Sequence, residues 1–168
     1  WNVNQTFQLL GTGPSVSGVK AIAWGDYDRD QDPDLAVIGL YVVGLFRNDA
    51  NTFTDVTYAA GVPFLNGRYC AWADVDHDGW LDLYLTREYL SCPCGPQPHV
   101  LLMNRGGVFA NEANAYGLDS EGGGDIAWGD YDADGDLDLM IDSRIQRNES
   151  GKPNDWIGNL WKYMPREE

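Results

Sequence analysis

The chain has 168 residues, enough for one domain with a core of its own or for part of a larger one. It is 43% hydrophobic, with 20 Gly, 8 Pro, 7 Trp and 9 Tyr, a turn-rich composition that suits an all-β protein. A formal net charge of −15 argues against nucleic acid or an anionic membrane as a partner.

The chain opens on Trp1 without an initiator Met, and is expected to be a processed product or an excerpt. NQTFQL, residues 4–9, reads as a strand, and its first three residues form a glycan sequon at Asn4. VKAIAW (19–24) alternates and runs into the acidic stretch DYDRDQDPDL that begins at Asp26; DLAVIGL (34–40) runs out of it. GLFRN (44–48) and TFTDVT (52–57) follow, with a turn predicted at Asp49–Asn51. The longest apolar run, LAVIGLYVVGLF (35–46), is broken by Gly39 and Gly44 and falls short of a membrane span, so no insertion is expected.

The same order then recurs. YCAWAD carries Trp72 into DVDHDGWLDL, which begins at Asp74, and DLYLT (82–86) leads out. Between Leu85 and Val100 stands an insertion, EYLSCPCGPQPH, that holds Cys92 and Cys94. With Cys70 the cysteines number three, an odd count, and no CxxC pair is present to build a zinc site. LLMNRGGVFANEANAYGL (101–118) matches GLFRNDANTFTDVTYAAGV (44–62). DIAWGD brings Trp128 into DYDADGDLDL at Asp130, and DLMI (138–141) leads out. A second sequon, NES, lies at Asn148, and the last segment, SGKPNDWIGNLWKYMPREE, does not continue the pattern.

Asp26, Asp74 and Asp130 are 48 and 56 residues apart, with Trp24, Trp72 and Trp128 in register ahead of them. Four short strands in a period of roughly fifty residues is the signature of a β-propeller blade. The expected fold is therefore all-β: about three four-stranded antiparallel blades of propeller type, forming a partial or oligomer-completed propeller. Residues 1–168 read as one repeat region, with blades centred on loops 26–34, 74–82 and 130–138 and a divergent segment at 150–168. One Trp per repeat at a fixed strand position is expected in the core between blades, rather than on a sugar-stacking platform. Residues 4–9 resemble an outer strand, which leaves the third blade unfinished and predicts that this strand completes a blade, by donation between chains.

Each acidic loop carries Asp at positions 1, 3, 5 and 9. These are Asp26, Asp28, Asp30 and Asp34; Asp74, Asp76, Asp78 and Asp82; Asp130, Asp132, Asp134 and Asp138. Position 7, which is Asp32, Trp80 or Asp136, adds a backbone carbonyl. A hard, all-oxygen site with several carboxylates favours Ca²⁺ over Zn²⁺, and Mg²⁺ prefers fewer protein ligands. Gly79 and Gly135 at position 6 allow a sharp turn; the first loop has Gln31 there with Pro33 beyond it, so up to three ions are expected and the first is the weakest. An EF-hand would need an acid at position 12, where this chain has Val37, Leu85 and Ile141, and flanking helices.

The AWGDYDxDGDLDL … LFRNDxxTFTDVT pattern resembles the FG-GAP and VCBS repeats of integrin-α-like propellers over about residues 1–150. That resemblance implies loops that join two strands of a blade, bind Ca²⁺ and stabilise the propeller. It also implies a ring commonly of seven blades, more than this chain supplies. The partners are then other copies of the chain or further blades of a longer one, with glycan or extracellular protein as ligands. The expected function is a non-catalytic, extracellular or cell-surface calcium-binding structural or adhesion module, which self-assembles into a ring or filament. A carbohydrate-binding, lectin-like propeller is the alternative, and part of a polysaccharide-active enzyme a more remote one. No Ser-His-Asp or HExxH arrangement is visible, His77 sits at loop position 4 facing water, and His99 follows the insertion.

Overall fold

The structure is a computed structural model that describes residues 2–3, 6–7, 16–87, 97–120, 124–142, 144–150, 152 and 156–157. The described residues hold fourteen strands and no helix. A short hairpin pairs β1 (Asn2–Val3) with β2 (Thr6–Phe7). The first blade is a meander of β3 (Val19–Gly25), β4 (Asp34–Gly39), β5 (Val42–Asp49) and β6 (Thr52–Asp55). The second comprises β7 (Tyr69–Ala73), β8 (Asp82–Thr86), β9 (Val100–Asn104) and β10 (Phe109–Asn111). The third comprises β11 (Ile126–Gly129), β12 (Asp138–Ile141), β13 (Arg144–Asn148) and β14 (Trp156–Ile157). All pairings are antiparallel, and the three four-stranded sheets are the expected blades.

Turn chemistry sets the register. Asp49 pairs with Thr52, and between them Ala50 and Asn51 both have positive φ (51° and 72°), a two-residue hairpin whose twist matches the strands. This is the turn predicted at Asp49–Asn51. The fourth strand of the last blade differs from the sequence expectation. Trp156–Ile157, in the segment that breaks the repeat pattern, pairs with Arg147 and Asn148 and fills the outer position that residues 4–9 were expected to take. Of those residues, Thr6 and Phe7 pair with Asn2 and Val3; residues 4–5 and 8–9 lie outside the described residues.

Inner strands β3, β7 and β11 lie side by side, so the blades stack face to face. Side chains alternate between the two faces of a strand, and the middle blade buries both. Leu83, Leu85, Val100 and Leu102 face the first blade, where they meet Ala36, Ile38, Val43 and Leu45. Tyr84, Leu101 and Met103 point the other way, to Leu139 and Ile141 of the third. Each fully buried aliphatic side chain contributes roughly 1.5–3 kcal/mol. The two seams are thus the hydrophobic core.

The tryptophans show the consequence of position. Trp72 packs in the first seam and Trp128 in the second, as expected, but Trp24 is 56% exposed. A blade's Trp packs on the blade before it, and the described residues place none before the first. A second correction concerns the sequon at Asn148. That side chain is fully buried and its Nδ2 donates to the carbonyls of Leu137 and Val75, so the folded chain does not offer it to a glycan. Cys70 lies in β7 against the first seam, and burial pushes its thiol up to about 12; Cys92, Cys94 and Asn4 lie outside the described residues.

Candidate metal centres

Each acidic loop joins the first two strands of a blade and curls by the same set of hydrogen bonds. The position 1 carboxylate accepts the N–H of position 6: Asp26 from Gln31, Asp74 from Gly79 and Asp130 from Gly135, at 3.0, 3.0 and 3.1 Å. Position 5 accepts the N–H of position 7: Asp30 from Asp32, Asp78 from Trp80 and Asp134 from Asp136. Position 6 is left-handed in every copy, with φ of 76° at Gln31, 86° at Gly79 and 98° at Gly135. Glycine takes that conformation freely, and Gln31 carries about 1 kcal/mol of strain to do so.

Position 9 is a clamp. Asp34, Asp82 and Asp138 are 0, 1 and 2% exposed. One oxygen of each accepts the N–H of loop position 2 (Tyr27, Val75, Tyr131), and the other accepts from the third strand (Asn48, Asn104, Asn148), all at 2.7–3.0 Å. Loop and blade are therefore fastened through one buried carboxylate. Burial pushes Asp34 up to about 6 and Asp82 up to about 7, against the pull of those N–H donors, and raises Asp138 in the same direction.

Among the described residues the structure gathers three carboxylate triads: Asp26, Asp28 and Asp34; Asp74, Asp76 and Asp78; Asp130, Asp132 and Asp138. Within each, one oxygen per residue lies within 4.8 Å of the others. The remaining predicted ligands stand outside these triads. Asp30 and Asp134 each hold the next N–H but one, and Asp82 is the clamp of its loop. Asp32 accepts the N–H of Ala50 at 2.8 Å, and Asp136 pairs with His77 Nε2 at 2.9 Å. The Trp80 ring lies under the Arg29 guanidinium, 5.2 Å from its centroid.

Among the described residues three carboxylate oxygens, Oδ1 of Asp28, Asp74 and Asp76, are buried without a hydrogen-bond partner. A buried anionic oxygen with no donor is costly, and a hard cation among the triad oxygens is the chemistry that removes the cost. The donor set is all oxygen, which fits Ca²⁺. Without an ion, burial and the neighbouring Asp30 raise the Asp28 carboxyl above its ordinary value.

Some of the site's residues escaped the sequence reading. Arg105 Nη1 reaches Asp76 at 2.8 Å and Asp78 at 3.4 Å; Arg147 pairs with Asp132 and lies 3.5 Å from Asp134. His77, expected to face water, is 44% exposed at its side chain yet paired across the second seam. Asn48, Asn104 and Asn148 recur in register, one per repeat, a signal sufficient to single them out as loop fasteners. His99, weighed as a candidate base, is a core residue: it is 2% exposed and its Nδ1 meets the Tyr84 hydroxyl at 3.0 Å.

Residues 26–85 match the protein-family model described as an FG-GAP-like repeat, a span that takes in the first two acidic loops and the strands between them. No curated protein matches the chain.

Proposed function

We propose that this chain, whose residues 26–85 form an FG-GAP-like repeat, is a non-catalytic calcium-binding structural module of the extracellular space or cell surface. The observation that carries the reading is the convergence of three carboxylates in each loop, with buried oxygens in the first two that no protein donor meets. Ca²⁺ would be held by Asp26, Asp28 and Asp34, by Asp74, Asp76 and Asp78, and by Asp130, Asp132 and Asp138. In the first and third blades the ion would fasten the loop to the second strand through Asp34 and Asp138, and in the second it would gather the loop itself. Up to three ions bind, the first loop most weakly, because Gln31 must hold a left-handed backbone there.

Extracellular modules of this chemistry bind calcium at roughly 0.1–1 mM, a range that matches the outside of a cell. The blades serve adhesion or scaffolding and join other blades, either of further copies or of a longer chain. Titration calorimetry tests the metal reading directly. Calcium heats that saturate at up to three ions, with Zn²⁺ and Mg²⁺ weaker, are expected; no calcium heat, or equal affinity for Zn²⁺, ends it.

A second reading has one observation in its favour. A shallow groove lined by Asp55, Thr57, Tyr58, Val62 and Phe64 presents two aromatic rings, with Tyr58 97% and Phe64 79% exposed. Exposed rings beside hydrogen-bonding groups suit a sugar ring, which would make the blade a lectin. Glycan-array binding that disappears in both Tyr58→Ala and Phe64→Ala supports it, and an empty array removes it.

A further inference from the structure

The two seams are assembled from the same parts, and each end of the blade stack carries one half of those parts uncovered. At the first seam Trp72 lies over Gly25, where a Cβ would come within 2.9 Å of the indole Cγ. Its ring stacks on Tyr27 (centroids 6.4 Å apart, 13° between planes), and its Nε1 donates to the carbonyl of Ala23 at 3.2 Å. At the second seam Trp128 meets Tyr84 edge-on at 6.0 Å, with Val75 and Ala73 in the places of Tyr27 and Gly25. An asparagine pins each seam: Asn104 Nδ2 donates to the Tyr27 carbonyl at 2.7 Å, and Asn148 Nδ2 to that of Val75 at 3.5 Å.

The first blade exposes the tryptophan half. Ile22 and Trp24 are 55 and 56% exposed, whereas their counterparts Ile126 and Trp128 pack in the second seam. The third blade exposes the receiving half. Tyr131 and Met140 are 59 and 42% exposed, whereas their counterparts in the first blade, Tyr27 and Ala36, are 4 and 0%. Between them lies a groove of about 220 Å³ lined by Ala127, Gly129, Tyr131, Met140 and Ile145, and nothing stands within 4 Å of a Cβ built on Gly129. Ala127, Gly129 and Tyr131 repeat the Ala23, Gly25 and Tyr27 that hold Trp72.

We propose that a second copy of this chain seats its Trp24 in the groove of Ala127, Gly129 and Tyr131, so that copies join head to tail. Asn48 makes the bond inside its blade, to the Pro33 carbonyl at 3.0 Å, that Asn104 makes to Leu81 at 3.1 Å. In the joint it also takes the Tyr131 carbonyl, as Asn104 takes that of Tyr27. A copy is the occupant because the exposed halves complete a third seam of the kind the chain already builds twice. The loop tips agree. Across each seam position 4 of one loop meets position 7 of the next, Arg29 with Trp80 and His77 with Asp136. At the joint Ala133 would meet Asp32 and oppose it with no like charge. Such a contact is heterologous and propagates into a ring or a filament. The outer position of the third sheet is already held by β14, so the joint is face packing rather than strand addition. The inference rests on the assembly part of the function proposed above and is independent of its calcium part.

Sedimentation velocity of the full chain decides it. The wild type should sediment as multiples of 18.7 kDa. Trp24→Asp and Met140→Asp should each weaken association roughly thirtyfold or more, since a buried interface Trp is worth at least that much. Both residues are exposed in the single chain, so circular dichroism should show each variant folded; Gly129→Leu, which fills the groove, is the second way to block it. An equimolar mixture of Trp24→Asp and Met140→Asp has one sound joint and should give a dimer and nothing larger. A monomeric wild type, variants that assemble like it, or a mixture that stays monomeric overturns the proposal. So does a wild type that associates only after residues 158–168 are removed, because the groove then belongs to the chain's own tail. Calcium calorimetry on the same samples separates the two readings: a wild type that stays monomeric with its calcium heat intact counts against this joint alone, and one that assembles without calcium heat counts against the metal reading alone.

Discussion

In the loop at 74–82 the guanidinium of Arg105 stands 2.8 Å from Asp76 and 3.4 Å from Asp78, whereas beside the loop at 26–34 Arg47 turns to Asp49 at 2.9 Å. The backbones are alike, with the same position 1 to position 6 hydrogen bond and the same left-handed position 6. The two loops therefore solve one electrostatic problem in two ways. The second has a cation of its own that shields positions 3 and 5 in part. Among the described residues no cation pairs directly with the acids of the first loop, Arg47 acting on Asp28 only at longer range, and the loop adds a strained Gln31, so it depends more on whatever ion it takes.

Removing calcium should produce the largest effect. An ion at a hundredfold excess over its dissociation constant stabilises by about 2.7 kcal/mol per site, and in a chain of this size each kcal/mol moves Tm by roughly 2–4 °C. Chelation should thus lower Tm by several degrees per site, far more than reduction or removal of the cysteines. Hydrogen exchange sharpens the contrast: on chelation the amides of Gln31 and Asp32 should lose more protection than those of Gly79 and Trp80, which make the same hydrogen bonds in the second loop. Equal loss in the two loops would break the comparison.

The position 9 clamp comes next. Asp82→Ala leaves the buried N–H groups of Val75 and Asn104 without an acceptor, at about 1–3 kcal/mol for the pair, and Asp34→Ala does the same to Tyr27 and Asn48. Denaturant melts of the two calcium-free variants should agree, because the clamp is common to both loops; a much larger loss at one of them means that the loops are fastened differently.

The pH dependence of the calcium-free chain has a defined sign. Asp34 and Asp82 are raised to about 6 and about 7 by burial, from an unfolded value near 4, so between these limits the folded state holds more protons than the unfolded one. Stability contributed by these two groups is full below pH ~4 and is lost as pH rises through 6 and 7. The loss should end about one pH unit lower in Asp82→Asn than in Asp34→Asn, since the former retains only the group near 6. With calcium bound the trend should flatten, because the ion requires Asp34 ionised as a ligand and offsets the charge of Asp76 and Asp78 that acts on Asp82.

What could be read from the sequence follows from what is periodic. Three copies of Asp at positions 1, 3, 5 and 9 gave the loops, and alternation gave the inner strands, because both are local. The seams gave only half. A Trp in register predicts a buried ring, but whether Trp24 has a blade to pack on is a property of its neighbours, not of its own repeat. The strand at Trp156–Ile157 was hidden for a related reason: it has the pairing partner of an outer strand without the outer-strand motif. Arg105 follows its asparagine whereas Arg47 precedes its own, so the alignment gave no common role to either, and their rotamers decide which acids they meet. The sequon at Asn148 was misleading because a three-residue motif carries no burial.

Gln31→Gly should relieve the left-handed strain at position 6 of the first loop, by about 1 kcal/mol less the extra entropy that glycine loses on folding. Its net effect on the calcium-free melt is therefore a few tenths of a kcal/mol to ~1. Calcium affinity in that loop should rise while the second loop stays as it was, an outcome that site-resolved NMR titration can read. Unchanged affinity would mean that the strain is carried equally with and without the ion.

The smallest stability effect is expected from Arg105→Gln. The guanidinium is 46% exposed and its contacts to Asp76, Asp78 and Glu112 span 2.8 to 3.4 Å, so its loss from the calcium-free protein should cost no more than about 1 kcal/mol. Its effect on the ion should have the opposite sign. With Arg105 present, a divalent cation entering among Asp74, Asp76 and Asp78 must share two of those carboxylates with a fixed positive charge. With glutamine there, the field of the triad acts on the ion alone, and the second loop should bind calcium more tightly. The comparison then predicts a convergence: the variant's second loop should respond to chelation as the first loop does, with a steeper loss of amide protection at Gly79 and Trp80. If Arg105→Gln lowers calcium affinity instead, the arginine holds the carboxylates in position for the ion rather than competing with it, and the two loops differ in geometry rather than in counter-charge.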